Sequence, residues 1–128
     1  CLFQVRGNGT LVAAFPLTRP DDFNARPVLI GTYPADNRGL ASHLRTAQGE
    51  WRAGDTLYLA SDALAAWFVR EHVAGRAPWK WFAALDAAAG SRDAAAFRRI
   101  VDDLRSDGRL ANDDTTLAIV RMPGGEKG

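Results

Sequence analysis

The sequence predicts an α+β domain of short, mostly antiparallel strands with three helices inserted between the last two. Three observations carry this. Gly54-Asp55-Thr56-Leu57-Tyr58-Leu59-Ala60-Ser61-Asp62-Ala63-Leu64-Ala65-Ala66-Trp67 runs from an apolar strand directly into a helix. Residues 1–15 read as a hairpin, and three segments of helical period precede a final apolar strand.

Taken in order, Cys1 to Arg6 alternates and is rich in strand formers, Asn8-Gly9 is a hairpin signal, and Thr10 to Phe15 reads as a second strand. Pro16 to Gly39 is loop-like, with four prolines. Phe23, Pro27, Val28, Leu29 and Ile30 are too apolar for a disordered linker, so part of this excursion is expected to pack on the core. Ala41 to Trp51 is expected to be a further strand, with Leu44 and Ala47 inward and Ala53-Gly54 turning it back toward Thr56. Leu57 to Ala60 is an almost uninterrupted apolar run opened by Gly54-Asp55, which suits a strand covered on both faces.

From Leu64 the period changes. Leu64, Trp67, Phe68 and Glu71 fall at i, i+3, i+4 and i+7, which predicts a helix over Ala63 to Ala74 stopped by Gly75. Pro78 suits the first turn of a second helix, with Trp81, Phe82 and Leu85 on its apolar face and an end near Gly90. Ser91 then caps a third helix that buries Phe97, Ile100, Val101 and Leu104. Its outer side carries Arg92, Arg98, Arg99, Asp102, Asp103 and Arg105, and Gly108 ends it. Thr115 to Met122 is the last strand, and 123–128 is expected to fray.

Composition bounds the function. One domain, or part of one, is the natural reading of 128 residues, and 47% hydrophobic with 24% charged residues suits a globular core. A formal charge of +1, with Arg and Asp interspersed, argues against nucleic acid as a partner. No apolar run reaches the roughly 18 residues of a membrane span, so no membrane insertion is expected. One cysteine excludes an internal disulfide and fits a cytoplasmic location. A monomer is expected.

The chemistry-bearing residues lie at two seams. Asp62 stands where the central strand becomes a helix, the end of a strand at which ions and ligands bind in layered α/β structures. Asn112-Asp113-Asp114-Thr115-Thr116-Leu117-Ala118-Ile119-Val120 repeats the pattern, with acidic residues just before another apolar strand. Asp62 reads either as a helix N-cap or as a ligand at a sheet end, and Asp113 and Asp114 either as turn residues or as its counterparts, because the two seams could face each other. His43 and His72 have no second ligand at a useful spacing. Trp67, Phe68, Trp79, Trp81 and Phe82 have helical spacing, which favours packing over a ligand groove. Cys1 has no evident catalytic base, and the chain has no phosphate-cradling glycine loop, no serine nucleophile elbow and no Cys-x-x-Cys pair.

GDTLYLASDALAAW and NDDTTLAIV together resemble the carboxy-terminal motifs of the metal-dependent protein phosphatases, the protein phosphatase 2C family. In that family the first motif reads as a strand ending in Ser-Asp-Gly-Leu and the last as Asp-Asn-x-Thr, and both aspartates bind a Mg²⁺ or Mn²⁺ ion. The resemblance gives the metal-ligand roles to Asp62 and Asp113, with Asp114 as a further candidate; Asp114 stands at the family's Asn, Thr116 at its Thr, and Ala63 at its Gly. It implies that 1–122 is the carboxy-terminal portion of one αββα four-layer sandwich. Cys1 then follows directly on missing upstream sequence, where the family carries a bridging Asp-Gly and a phosphate-binding Arg.

The implied activity is hydrolysis of phosphoserine and phosphothreonine in proteins, with a phosphoprotein substrate and a kinase as candidate partners. Hard ions such as Mg²⁺ and Mn²⁺ prefer carboxylate oxygen to imidazole. Two such ions about 3.5 to 4 Å apart can activate a shared water and orient a phosphate, so the aspartates would be anchors and no side chain the nucleophile. With one half of the site missing, the chain alone is expected to be inactive. The alternative is a non-catalytic, phosphatase-like binding or regulatory module in which Asp62 only caps a helix.

Overall fold

A computed structural model describes residues 1–23, 29–87 and 94–124. Its strands are β1 (Leu2–Val5), β2 (Leu11–Phe15), β3 (Thr56–Ala60) and β4 (Leu117–Arg121). Its helices are a single turn, α1 (Leu40–His43), and three longer ones, α2 (Asp62–Val73), α3 (Trp79–Ala87) and α4 (Ala94–Ser106). The architecture is α+β. The strands pair antiparallel throughout in the order β2-β1-β3-β4, so the chain leaves β3, makes α2, α3 and α4, and returns to β3's own edge.

Local chemistry explains most boundaries. The β1–β2 turn closes through Gly9 N–H to the Arg6 carbonyl and Arg6 N–H to the Thr10 carbonyl, both at 2.8 Å. Gly9 takes φ 80°, a conformation that favours glycine at this turn. α2 stops where Gly75 (φ 77°) lets its N–H reach the His72 carbonyl while Arg76 N–H reaches that of Glu71. Gly108 closes α4 in the same manner. The expected end near Gly90, the Ser91 cap and Arg92 lie outside the described residues, as does 125–128 of the tail.

One sheet face meets the helices. Register places Phe3 beside Tyr58 and Tyr58 beside Ile119, with Val5 and Ala60 on the same face. Against them pack Leu64, Trp67, Phe68, Phe82, Val101 and Leu104, all buried. Phe3 stacks on Phe68 with ring centroids 3.9 Å apart, and Phe82 lies 5.4 Å from Tyr58 and 5.8 Å from Trp67. The aromatic set is thus mainly core. Trp81 is the exception, partly exposed with the Arg109 guanidinium 5.5 Å from its ring.

The other face is apolar too, and the described residues leave much of it open. Phe15, Leu2, Leu59 and Ala118 form one cross-strand row, and Ala13, Gln4, Leu57 and Val120 the next. Leu59 is 41% exposed and Val120 44%. β3 was expected to be covered on both faces; here helices cover only one.

Two expectations for the excursion fail. Residues 44–51 form no strand: α1 occupies 40–43, and Leu44 (64% exposed) and Ala47 face solvent. β1 and β4 already take both edges of β3, and this segment lacks the alternating apolar residues that would hold it on another edge. Phe23 does pack on the core, but Leu29 and Ile30 are 76% and 73% exposed. Asn37 instead ties the loop to itself, accepting from Gly31 N–H at 2.8 Å and donating to the Gly31 carbonyl at 2.9 Å. Pro27 and Val28 lie outside the described residues. Among the described residues, no helix is long and apolar enough to cross a membrane.

Candidate metal centre

The two acidic seams meet because β3 and β4 are neighbours. Their last paired residues are Ala60 and Leu117, and one step beyond, Ser61 N–H donates to the Thr116 carbonyl at 3.1 Å. Asp62 opens α2 immediately after this contact, and Asp113 and Asp114 lie just before it on the other strand.

Ser61, rather than Asp62, holds the N-cap position of α2. Its hydroxyl makes no cap bond. It accepts from Thr116 N–H at 2.9 Å and donates to the Asp114 carbonyl at 3.2 Å. Asp62 is exposed in the first helical turn, where a carboxylate is favoured by the helix dipole, and its Oδ1 accepts from Ala63 N–H at 2.8 Å. The Cys1 amino group donates to the Ala60 carbonyl at 2.7 Å; burial lowers its pKa, opposed by the charge of Asp62.

The acidic loop is braced from the opposite side. Arg105 of α4 donates through Nη2 to the Asp113 carbonyl and, at 3.3 Å, to Thr115 Oγ1. Thr115 Oγ1 also donates to the Asp113 carbonyl at 3.1 Å, and Asp113 Oδ1 accepts from Asp114 N–H at 2.7 Å. Arg105 was expected on the outer, solvated side of its helix; it turns inward because the loop offers carbonyls that need a donor. Its Nε is buried with no partner among the described residues. A groove of about 330 Å³ opens here, lined among others by Arg98, Asp102, Arg105, Asp114 and Thr115.

The donor chemistry suits a hard divalent cation. Asp62, Asp113 and Asp114 are exposed, and none enters an ion pair among the described residues. Their carboxylates therefore keep oxygen lone pairs available. No group of three or more His, Cys, Asp or Glu converges as a metal cage among the described residues. Mg²⁺ is commonly held by one or two carboxylates with waters completing its shell, so such an ion does not require a cage of three. Compared with known protein families, characterised proteins and solved structures, the chain matches none.

Two other carboxylates are buried and belong to the scaffold. Asp55 Oδ2 accepts from Gln4 Nε2 at 2.7 Å, Arg6 Nη1 at 2.5 Å and Arg52 N–H at 2.9 Å. Burial alone would raise its pKa, but the Arg52 amide, Gln4 and the Arg6 charge outweigh that and hold it below the usual carboxylate range. Glu71 accepts from Arg76 at 2.6 and 2.9 Å and from Arg109 at 2.9 Å. The Arg76 bonds, opposed by burial and aided by the Arg109 charge, hold its pKa down as well. Glu71 was expected on the apolar stripe and is indeed buried there, as the anion of a three-residue clamp between α2, its exit and the turn after α4. His72 packs 5.9 Å from Trp79, and His43 is exposed at the end of α1.

The sequence singles out Asp62, Asp113 and Asp114 but misses what holds their segments together. Ser61 was legible only as a member of the Ser-Asp pair, and Arg105 only as one of several outward arginines.

Proposed function

We propose that this chain is the carboxy-terminal part of a metal-dependent protein serine/threonine phosphatase of the protein phosphatase 2C kind, acting on phosphoproteins in the cytoplasm. The observation that carries the reading is the junction of the two acidic seams: Ser61 bridges to the Asp114 carbonyl and Thr116 N–H, beside Asp62 and Asp113. The open apolar face of the sheet, with Leu2, Leu57, Leu59, Ala118 and Val120, supports a four-layer arrangement in which a second sheet covers it. An apolar face of this extent is costly to leave in water.

Asp62 and Asp113 would anchor one Mg²⁺ or Mn²⁺, with Asp114 as a further oxygen donor. When bound, such ions supply Lewis acidity toward water and phosphate. The chain's own residues bind and orient: the carboxylates contribute negative charge and hard oxygens, while Ser61 and Arg105 fix the backbone that carries them. The bridging aspartate and the phosphate-binding arginine would come from upstream sequence.

The test is hydrolysis of a phosphothreonine peptide. Full-length protein turns it over only with Mn²⁺ or Mg²⁺, and the 128-residue chain alone does not. Turnover that persists in excess chelator refutes the proposal. A second reading, a non-catalytic binding module of the same fold, is favoured by one feature: Leu29, Ile30, Tyr33, Leu44 and Trp51 are all strongly exposed. An Asp-Gly metal motif upstream supports the enzyme, and its absence the module.

A further inference from the structure

The outer edge of β4 is the less guarded edge of the sheet. In the β3–β4 ladder Ser61 N–H donates to the Thr116 carbonyl at 3.1 Å and Met122 N–H to the Asp55 carbonyl at 2.8 Å. Backbone groups alternate in direction along an antiparallel strand, so those of Ala118 and Val120 also face β3, while those of Leu117, Ile119 and Arg121 point outward. β4 ends the order β2-β1-β3-β4, and no described residue bonds the outward groups of Leu117 and Ile119. Such groups are a template for another strand, and sheet edges are normally blunted by Pro, Lys or a bulge. β2, at the opposite edge, has guards of this kind: its register skips Val12, and Pro16 follows it. β4 keeps unbroken register from Leu117 to Arg121 and contains no Pro, Gly or Lys.

The charge pattern of the strand says what fits there. Asp113 and Asp114 lie before it and Arg121 ends it, so it has an acidic end and a basic end. An antiparallel copy sets Arg121 toward the acidic end of its twin, whereas a parallel copy sets like charges together. We propose that β4 pairs antiparallel with β4 of a second copy of this chain about a two-fold axis at Ile119, joining two four-stranded sheets edge to edge. Ile119 then exchanges both backbone bonds with its twin. On the open face Ala118 meets Val120, small against large, and on the helix face the stem of Arg121 lies along Leu117. The sequence pointed to a monomer; the edge points to a dimer. The pairing needs neither a metal ion nor phosphatase activity, so it stands or falls apart from the function proposed above.

The experiment uses the full-length protein from micromolar to millimolar concentration, with light scattering for mass and hydrogen exchange resolved to single amides. Mass should double as concentration rises. The Leu117 and Ile119 amides should gain protection in step with it, while those of Ala118 and Val120, bonded to β3, stay protected throughout. Ile119→Pro deletes only an outward N–H, which a strand edge tolerates, and should abolish the dimer. Arg121→Glu turns attraction into repulsion beside Asp113 and Asp114 and should weaken dimerisation at least about tenfold with the fold intact by circular dichroism, which keeps the test decisive if proline unfolds the edge. A protein that stays monomeric throughout overturns the proposal, as does an Arg121→Glu dimer as tight as the parent's. A dimer whose Leu117 and Ile119 amides exchange freely also overturns it, because another surface then makes the contact. Protection of both amides in the monomer overturns it too, since another segment of the same polypeptide then covers the edge.

Discussion

Replacing Trp67 separates the two halves of its energetics. The side chain is 1% exposed, packs against Phe82 and Trp81 at ring-centroid distances of 5.8 and 6.2 Å, and its indole N–H is buried without a partner among the described residues. Trp67→Ala removes the ring system and leaves a cavity, which costs about 3–5 kcal/mol. Trp67→Phe keeps one ring in the cluster and deletes the unpaired donor, whose burial carries a penalty of about 1–3 kcal/mol. Relief of that penalty offsets much of the lost area, so Trp67→Phe should cost less than about 1.5 kcal/mol, the range of tolerated apolar swaps. Urea unfolding followed by circular dichroism reads both values. A Trp67→Ala cost below about 1 kcal/mol would mean the α2 face is not the core. Equal costs for the two variants would mean the indole N–H has a partner after all.

Two further outcomes follow from the charged scaffold and the open face. Asp55 and Glu71 both have pKa values lowered by folding, so the stability they contribute is complete above the unfolded carboxylate range, near pH 4, and is lost as pH falls through the lower folded values. The urea midpoint should therefore change little from neutrality to about pH 5 and drop below about pH 4, and Glu71→Gln should flatten that drop; an unchanged acid slope would contradict the clamp. Leu59, 41% exposed, leaves about 0.6–1.2 kcal/mol of its burial unrealised, so Leu59→Asp should cost little in the 128-residue chain but several kcal/mol in a longer protein if, as proposed, a second sheet covers this face. Equal costs in both, measured by urea unfolding, would refute a covered face.

What the sequence made legible is what local physics determines. The change from an apolar run to helical spacing located β3 and α2, and Asn8-Gly9, Gly75 and Gly108 marked turns and stops that the backbone indeed makes with positive φ at the glycines. Leu64, Trp67, Phe68 and Glu71 are all buried, as their spacing required. Segment 44–51 misled because strand formation depends on a free edge, and β3's edges were taken by partners 50 or more residues away in sequence. Leu29 and Ile30 misled because apolar character sets a preference for burial without supplying a surface to bury against. Ser61 to Asp114, Arg109 to Glu71 and Gln4 to Asp55 join residues 53, 38 and 51 positions apart, so no spacing rule reveals them. The candidate ligands were legible as acidic residues at strand ends; the contacts that bring their segments together needed the fold.

The most direct measurement is turnover of a phosphothreonine peptide by the full-length protein against Mn²⁺ concentration, for the parent, Asp62→Asn and Asp113→Asn, with folding checked by circular dichroism. An amide in place of either carboxylate keeps an oxygen but removes the negative charge that a hard cation requires. The account predicts that both variants fold, and that each needs much more Mn²⁺ and reaches lower turnover than the parent. Full activity in both variants at the parent's Mn²⁺ requirement would contradict the assignment of Asp62 and Asp113 to a shared ion.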